Sequence, residues 1–71
     1  MADIKFEIEK HLGILSTNKS GWTKEVNMVS WNGRKAKLDI REWDPEHKSM
    51  SKGLSLSEEE IEKLKEILEN F

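Results

Sequence analysis

Apolar and polar residues alternate along the first part of the chain. The even positions from Ile4 to Ile14 are mostly apolar, and the odd positions between them read Lys, Glu, Glu, His and Gly. A period of two is typical of a strand with one buried face. The pattern therefore predicts a first strand over residues 4–15, with Gly13 as the site of a β-bulge.

Two further strands are predicted on either side of the dipeptide Asn32-Gly33. Residues 22–31 are rich in β-branched and aromatic side chains, and residues 34–44 again alternate apolar with polar positions. Asn-Gly between two such runs is the strongest short signal for a hairpin turn. The proline that follows Asp44 predicts the end of the third strand, because proline cannot donate to the ladder. A short fourth strand is predicted over residues 53–56.

A helix is predicted over residues 57–71. Ser57 and Glu60 have the spacing of a capping box, in which each side chain satisfies the other residue's backbone N–H. The apolar residues that follow recur at helical spacing and form one stripe: Ile61, Leu64, Ile67, Leu68 and Phe71. Four strands followed by a helix predict one α+β domain over residues 1–71, a curved four-stranded antiparallel sheet with the helix packed on one face.

The composition predicts that this domain needs a partner subunit. A chain of 71 residues has little room for a core, and small folds usually need disulfides, a metal or oligomerisation. The chain has no cysteine, and the histidines His11 and His47 lack the spacing of metal ligands. We therefore expect a homodimer without metal or cofactor.

Other classes of protein are disfavoured by what the sequence lacks. It has no membrane-length apolar run and no signal peptide, so we expect a cytoplasmic protein without membrane contact. It also has no nucleophile–base motif, no phosphate-binding glycine loop and no metal-ligand set. We therefore predict a binding protein, not an enzyme, with no small-molecule substrate.

The net charge of −2 is unevenly distributed along the chain. Residues 57–71 contain six acids and two lysines, whereas residues 1–56 contain ten Lys or Arg and eight acids. The acidity is therefore concentrated in the predicted helix. If this helix lies behind the sheet, the opposite sheet face can be basic and can attract nucleic acid.

A two-residue turn at Asn32-Gly33 would fix which side chains share that opposite face. Trp22 would then lie opposite Trp43, and Lys24 opposite Arg41. The face away from the helix would carry these residues: Trp22, Lys24, Lys35, Lys37, Arg41 and Trp43. Aromatic platforms flanked by cations are what single-stranded nucleic acids bind. Trp22 and Trp43 could equally be core residues. A slipped register would leave only Lys37, Arg41 and Trp43 grouped by their own alternation.

Two blocks of the sequence resemble a known family. They are Asp39-Ile40-Arg41-Glu42 and Lys52-Gly53-Leu54-Ser55-Leu56, in this order before an acidic helix start. They are similar to the positive cofactor four family of transcriptional coactivators, whose core domain binds single-stranded DNA. The compact chain, with Ser30-Trp31-Asn32-Gly33-Arg34, resembles the bacterial YdbC-like branch.

The resemblance implies a dimer that binds nucleic acid across curved sheets. The positions that match the family's binding residues are Trp31, Arg34, Lys35, Arg41, Trp43, Lys48 and Lys52. Trp22, Lys24 and Lys37 come from strand alternation and register, without help from the family. We therefore expect a coactivator-like homodimer in the bacterial nucleoid that binds single-stranded DNA without sequence preference, with RNA left open. The alternative is a protein-interaction adaptor that uses an exposed tryptophan face.

Overall fold

The computed structural model describes residues 5–71 and contains one antiparallel sheet followed by a helix. The strands are β1 (Phe6–Thr17), β2 (Thr23–Trp31), β3 (Lys37–Trp43) and β4 (Leu54–Leu56), arranged in the order β1-β2-β3-β4. Helix α1 spans Glu58–Glu69. The predicted α+β class, with four strands and a C-terminal helix, is confirmed; the predicted strand start at Ile4 lies outside the described residues.

The first strand is long and irregular. Its pairing with β2 shifts register at three places, between Ile8 and Lys10, between His11 and Gly13, and between Ile14 and Ser16. The bulge predicted at Gly13 is one of these three irregularities. Each bulge bends the strand and increases its twist, so β1 curves along its whole length and its even-numbered residues do not all share one face.

The turn between β2 and β3 forms as predicted, but the register does not. Asn32 and Gly33 both have positive φ, 52° and 75°, and the Arg34 N–H donates to the Trp31 carbonyl at 3.0 Å. The third strand starts only at Lys37, so three residues follow the turn before regular pairing begins. Thr23, not Trp22, lies opposite Trp43, and Glu25, not Lys24, lies opposite Arg41.

This shift of one residue changes which side chains share a face, because side chains alternate along a strand. The helix face, which looks toward α1, carries Val26, Met28, Leu38, Ile40, Leu54 and Leu56. The far face carries Glu25, Asn27, Val29, Trp31, Asp39, Arg41, Trp43 and Ser55. The predicted partition was therefore wrong for β2, including Lys24, which lies opposite Glu42 on the helix face.

The sheet curls so strongly that its far face becomes concave. Trp31 lies at one end of β2, and Trp43 lies opposite the other end, which a flat strand would place about 26 Å away. The ring of Phe6 nevertheless lies 6.0 Å from the ring of Trp31 and 5.1 Å from that of Trp43, measured between centroids. The bulges in β1 curve the sheet, and this curvature explains how the Phe6 ring can contact tryptophans at both ends of β2.

The core lies inside this concave far face rather than under the helix. Val29 and Trp43 are fully buried there. On the helix face, Leu38 and Ile40 are only half-buried, and α1 has no buried residue. Trp43, which the sequence placed on the binding face with a core role as the alternative, is therefore a core residue. Within residues 5–71, no helix has the length and apolar character needed to cross a bilayer.

Candidate nucleic-acid interface

Trp31 and Arg41 form the centre of an open cleft on the far face. The Arg41 guanidinium carbon lies 4.5 Å from the centroid of the Trp31 ring, which is the geometry of a cation–π contact. The cleft has a volume of about 510 Å³ and is lined by Trp31, Arg41, Met50, Ser51, Lys52 and Ser55. We call it the Trp31 cleft. An indole beside a guanidinium plane offers flat surfaces on which a nucleobase can stack.

The guanidinium of Arg41 is fixed by the buried carboxylate of Asp39. Arg41 Nε and Nη2 donate to the two carboxylate oxygens of Asp39 at 2.6 and 2.8 Å. The Ser55 hydroxyl donates to Asp39 Oδ2 at 2.8 Å. Asp39 is fully buried, and the Arg41 side chain is only 14% exposed. A two-pronged ion pair of this kind fixes the plane of the guanidinium and offsets its charge.

This pairing changes the role that Arg41 can have. The sequence predicted Arg41 as one of the cations that flank an aromatic platform. With its charge offset by Asp39, Arg41 is suited to stacking and to supporting the Trp31 ring. Lys52 lines the same cleft and is exposed, so it is the residue that can place a free positive charge near a phosphate.

The structure brings together three of the predicted site residues, Trp31, Arg41 and Lys52. The family resemblance made Trp31 a binding residue, and Trp31 lines this cleft. Lys37, Arg41 and Trp43 occupy alternate positions of β3, as predicted, but Lys37 also lines the groove beside the start of α1. Trp43, however, is fully buried and offers no ring surface to a ligand.

The other predicted residues lie apart from the Trp31 cleft. Lys35 makes an exposed ion pair with Glu58 at the start of α1, with Nζ and Oε1 3.4 Å apart. Lys48 makes one with Glu46 in the loop after β3. Trp22 is half-buried just before β2, and Arg34 is exposed in the turn after Trp31.

Sequence reasoning missed a second polar cluster on the far face. The Glu25 carboxylate is 2% exposed and accepts hydrogen bonds from Thr23, from Asn27 Nδ2 at 3.2 Å and from His47 Nε2 at 2.9 Å. His11 Nδ1 lies 2.7 Å from Asn27 Oδ1. The spacing of Glu25 and Asn27 at alternate positions of β2 was a signal that they share a face, but the slipped register hid which face it was.

The hydrogen bonds around Glu25 control its ionisation. Burial raises the pKa of the Glu25 carboxyl, but the hydrogen bonds from Thr23 and Asn27 lower it. The hydrogen bond and charge of His47 lower the pKa further, and the result is a pKa below the ordinary value of 4.5. Glu25 is therefore a buried carboxylate that stays ionised at neutral pH.

The loop after β3 positions His47 for this contact. The Asp44 carboxylate accepts the backbone N–H groups of Ser49 and Lys48 at 3.0 and 2.7 Å, which lowers the pKa of Asp44. His47 has a φ of 58°, which is uncommon for a residue other than glycine. Its imidazole stacks on Trp43 with centroids 5.7 Å apart and planes inclined by 26°.

Comparison with known proteins identifies the family. The family model described as Transcriptional Coactivator p15 (PC4) matches residues 18–67, which is more than half of the chain. The chain belongs to the PC4 family. The match to PC4 confirms the resemblance seen in the two sequence blocks and indicates a nucleic-acid-binding, coactivator-like role.

One similar protein matches this chain over a longer range than the family model does. An uncharacterized protein of Treponema pallidum (strain Nichols) is 41% identical over 69 residues, which cover 97% of this chain and 81% of that protein. The likeness to this bacterial protein therefore includes β1, which begins before the region matched by the PC4 family model.

Proposed function

We propose that this PC4-family protein binds single-stranded DNA without sequence preference, as a homodimer, in a coactivator-like role and without enzymatic activity. The observation that carries the proposal is the Trp31 ring, held against the locked Arg41 guanidinium in an open cleft that also contains Lys52. Stacking on an aromatic ring accepts any base, because every base has a π face. RNA remains a candidate ligand, since stacking and charge do not distinguish the sugar.

The charge distribution supports binding on the far face. The groove between α1 and the helix face is lined on the helix side by Glu59, Glu60 and Glu62. These carboxylates repel phosphates. The Trp31 cleft contains Lys52, so a strand that stacks on Trp31 has a free cation beside it. Duplex DNA hides its base faces and cannot use the aromatic platform in the same way.

The apolar surface of the helix face supports the homodimer. Ile40, Leu54, Leu56, Leu64 and Ile67 line an open groove of about 860 Å³ beside α1. Near the end of the helix, Ile67, Leu68 and Phe71 are 64%, 53% and 99% exposed. Contiguous exposed apolar surface is typical of an interaction site, and a second copy related by a twofold axis would cover it.

A fluorescence titration tests strand preference. Oligothymidine and a duplex of equal length should be added to the protein at the same salt concentration, with tryptophan emission as the signal. We expect clearly tighter binding of the single strand. Equal affinity for the duplex would contradict the stacking mechanism. Trp31→Ala is the variant that should lose the preference, and Trp22→Phe is a control that keeps Trp31 in place.

The adaptor alternative predicts a different response to salt. It was based on several exposed tryptophans, and with Trp43 buried the far face offers the partly exposed ring of Trp31 instead of a hydrophobic cluster. Binding to single strands should weaken with salt, with a log–log slope of about 0.7 per neutralised phosphate. A protein partner held by an aromatic patch should show a much smaller slope.

A further inference from the structure

A second cleft opens on the far face, next to the buried Glu25. It has a volume of about 280 Å³ and is lined by Ile8, His11, Ile14, Glu25, Asn27 and His47. We call it the histidine cleft. His11 reaches it from β1 and His47 from the loop after β3, and their side chains are 52% and 43% exposed. The two imidazoles thus converge from separate elements on one carboxylate.

Each imidazole uses one nitrogen to fix its position. His11 Nδ1 lies 2.7 Å from Asn27 Oδ1 and 3.6 Å from Glu25 Oε1. His47 Nε2 lies 2.9 and 3.1 Å from the two Glu25 oxygens. Among residues 5–71, His11 Nε2 and His47 Nδ1 have no hydrogen-bond partner. The buried Glu25 and Asn27 therefore orient the two partly exposed imidazoles. Binding sites are commonly kept in a fixed geometry by buried residues of this kind.

The backbone of His47 adds to the case for a binding role. A non-glycine residue with φ of 58° carries a conformational cost. This backbone conformation places the imidazole flat against the buried Trp43 ring and within hydrogen-bond distance of Glu25. The rings of Trp31, Phe6, Trp43 and His47 follow one another with centroid separations of 6.0, 5.1 and 5.7 Å. The histidine cleft therefore lies a short way from the Trp31 cleft across the same concave face.

Protonation reverses the charge of the histidine cleft. Glu25 contributes one negative charge, so the unit carries −1 with both imidazoles neutral and +1 with both protonated. Histidine is the side chain whose charge ordinarily changes between pH 5 and 8. We propose that the histidine cleft is a second subsite for the same nucleic acid strand, which binds a backbone phosphate when His11 and His47 are protonated. The proposal rests on the proposed function, since it needs a strand bound at the Trp31 cleft.

The charged groups around the histidine cleft come from β3 and from the loop after it. From β3, Arg41 lies opposite Glu25 in register, but its guanidinium is paired with Asp39. In the loop, the Asp44 carboxylate accepts backbone N–H groups but stays negative, and its charge acts on His47. Glu46 and Lys48 pair with each other. From β2, Thr23 and Asn27 are uncharged.

The experiment compares affinity for oligothymidine at about pH 8 and about pH 5.5, where His changes charge. Thymine does not titrate in this range, so the ligand stays the same. For the wild type we expect binding that is roughly fivefold tighter at the lower pH, as for a partly exposed ion pair. The salt slope should become steeper by about 0.7 for one added phosphate contact. The double variant His11→Gln, His47→Gln should show neither change, because glutamine keeps a hydrogen-bonding group but cannot become charged.

A second measurement does not depend on the folding of a variant. Binding of oligothymidine to the wild type in weak buffer near pH 6.5 should take up protons, because the proposed subsite favours the protonated imidazoles. Lys65→Gln, on the exposed side of α1, is the control for loss of a charge elsewhere and should keep both the pH effect and the proton uptake.

The outcomes separate the two proposals. If the affinity is the same at pH 8 and pH 5.5 and binding takes up no protons, the histidine subsite is overturned and the proposed function stays intact. Equal tightening in the double variant also overturns the subsite. Absence of binding at both pH values overturns the proposed function, and the subsite with it.

Discussion

Trp31 and Trp43 are the same residue type at strand ends, but their surroundings assign them different roles. Trp43 is fully buried between Phe6 and His47, whereas Trp31 is only half-buried and borders an open cleft. At the scale of single residues, burial decides whether an aromatic ring stabilises the fold or is available to a ligand.

The two tryptophans should therefore respond differently to truncation. Trp43→Ala should lower the free energy of unfolding by about 3–5 kcal/mol, the usual cost of removing a buried tryptophan. Trp31→Ala should lower stability much less and weaken single-strand binding by about 1–3 kcal/mol, the loss of one base–aromatic stack. Urea unfolding and oligothymidine titration measure the two effects. A stable Trp43→Ala protein with impaired binding would contradict the burial.

The charge pairing of Arg41 leads to a second prediction. Lys52→Ala should reduce the salt slope of binding by about 0.7, because a free cation is removed. Arg41→Lys should weaken binding while leaving the slope nearly unchanged, because lysine keeps the charge but cannot reproduce the two-pronged contact with Asp39 or the flat stacking surface. Affinity measured across a salt series tests both. An unchanged affinity for Arg41→Lys would contradict the role given to the flat, two-pronged guanidinium.

Glu25 should make the fold sensitive to acid. Its pKa is below 4.5 in the folded protein, so the unfolded chain binds the proton more readily. The stability that this carboxylate contributes is present above about pH 4.5 and is lost as the pH falls through the folded pKa. Glu25→Gln should reduce the change in the free energy of unfolding over this pH range, as measured by urea unfolding at a series of pH values. Glu9→Gln, at an exposed position of β1, should leave it unchanged.

At the scale of elements, β3 and β4 approach each other closely because of a glycine. A Cβ atom at Gly53 would meet the Arg41 Cβ and the Ile40 carbonyl oxygen, so the chain can start β4 there only without a side chain. The same strand pairing aligns Ser55 with Asp39 and so helps to hold Arg41. The geometry of the Trp31 cleft therefore depends on a backbone contact outside it.

Substitution of this glycine should separate the two strands. We expect Gly53→Ala to lower the free energy of unfolding by about 1–3 kcal/mol, as overpacking does, and to weaken binding through displacement of Arg41. Gly13 is a matched control, because nothing lies within 4 Å of a Cβ atom there. Gly13→Ala should change stability by less than about 1 kcal/mol. Equal effects of the two substitutions in urea unfolding would contradict the close approach.

At the scale of the whole molecule, the two sheet faces differ in how well they are covered. The concave far face encloses the buried residues, while the helix face leaves an apolar groove and an exposed helix end. The proposed homodimer assigns the open groove to a second copy and leaves the far face of each subunit to the nucleic acid.

Sedimentation equilibrium at micromolar concentration should give the mass of a dimer. Ile67→Lys should shift the equilibrium toward the monomer, because it places a charge in the apolar surface that the second copy would cover. Ile67 is 64% exposed in the single chain, so the subunit should still fold. Lys65→Gln on the same helix is the control. A wild-type monomer of full stability would contradict the homodimer.

The sequence by itself determined the features that depend on neighbouring residues. The Ser57 and Glu60 capping box is present in full, and Asn32-Gly33 forms the turn with positive φ at both residues. The order of strands and helix and the family also followed from local pattern and motif, because propensity, capping and turn chemistry act within a few positions. The family resemblance also pointed to Trp31, Arg41 and Lys52, which the structure places in one cleft.

Only the tertiary structure decided the register, the curvature and the burial of Trp43. A slip of one residue after the turn exchanged the two faces of β2, and no local signal distinguished Lys24 from Glu25 as the partner of Arg41. Three bulges in β1 curl the sheet, so that Phe6 reaches both Trp31 and Trp43 and the core forms on the face expected to be open. Contacts between residues far apart in sequence depend on the summed bends of several strands, and alternation within one strand does not contain that information.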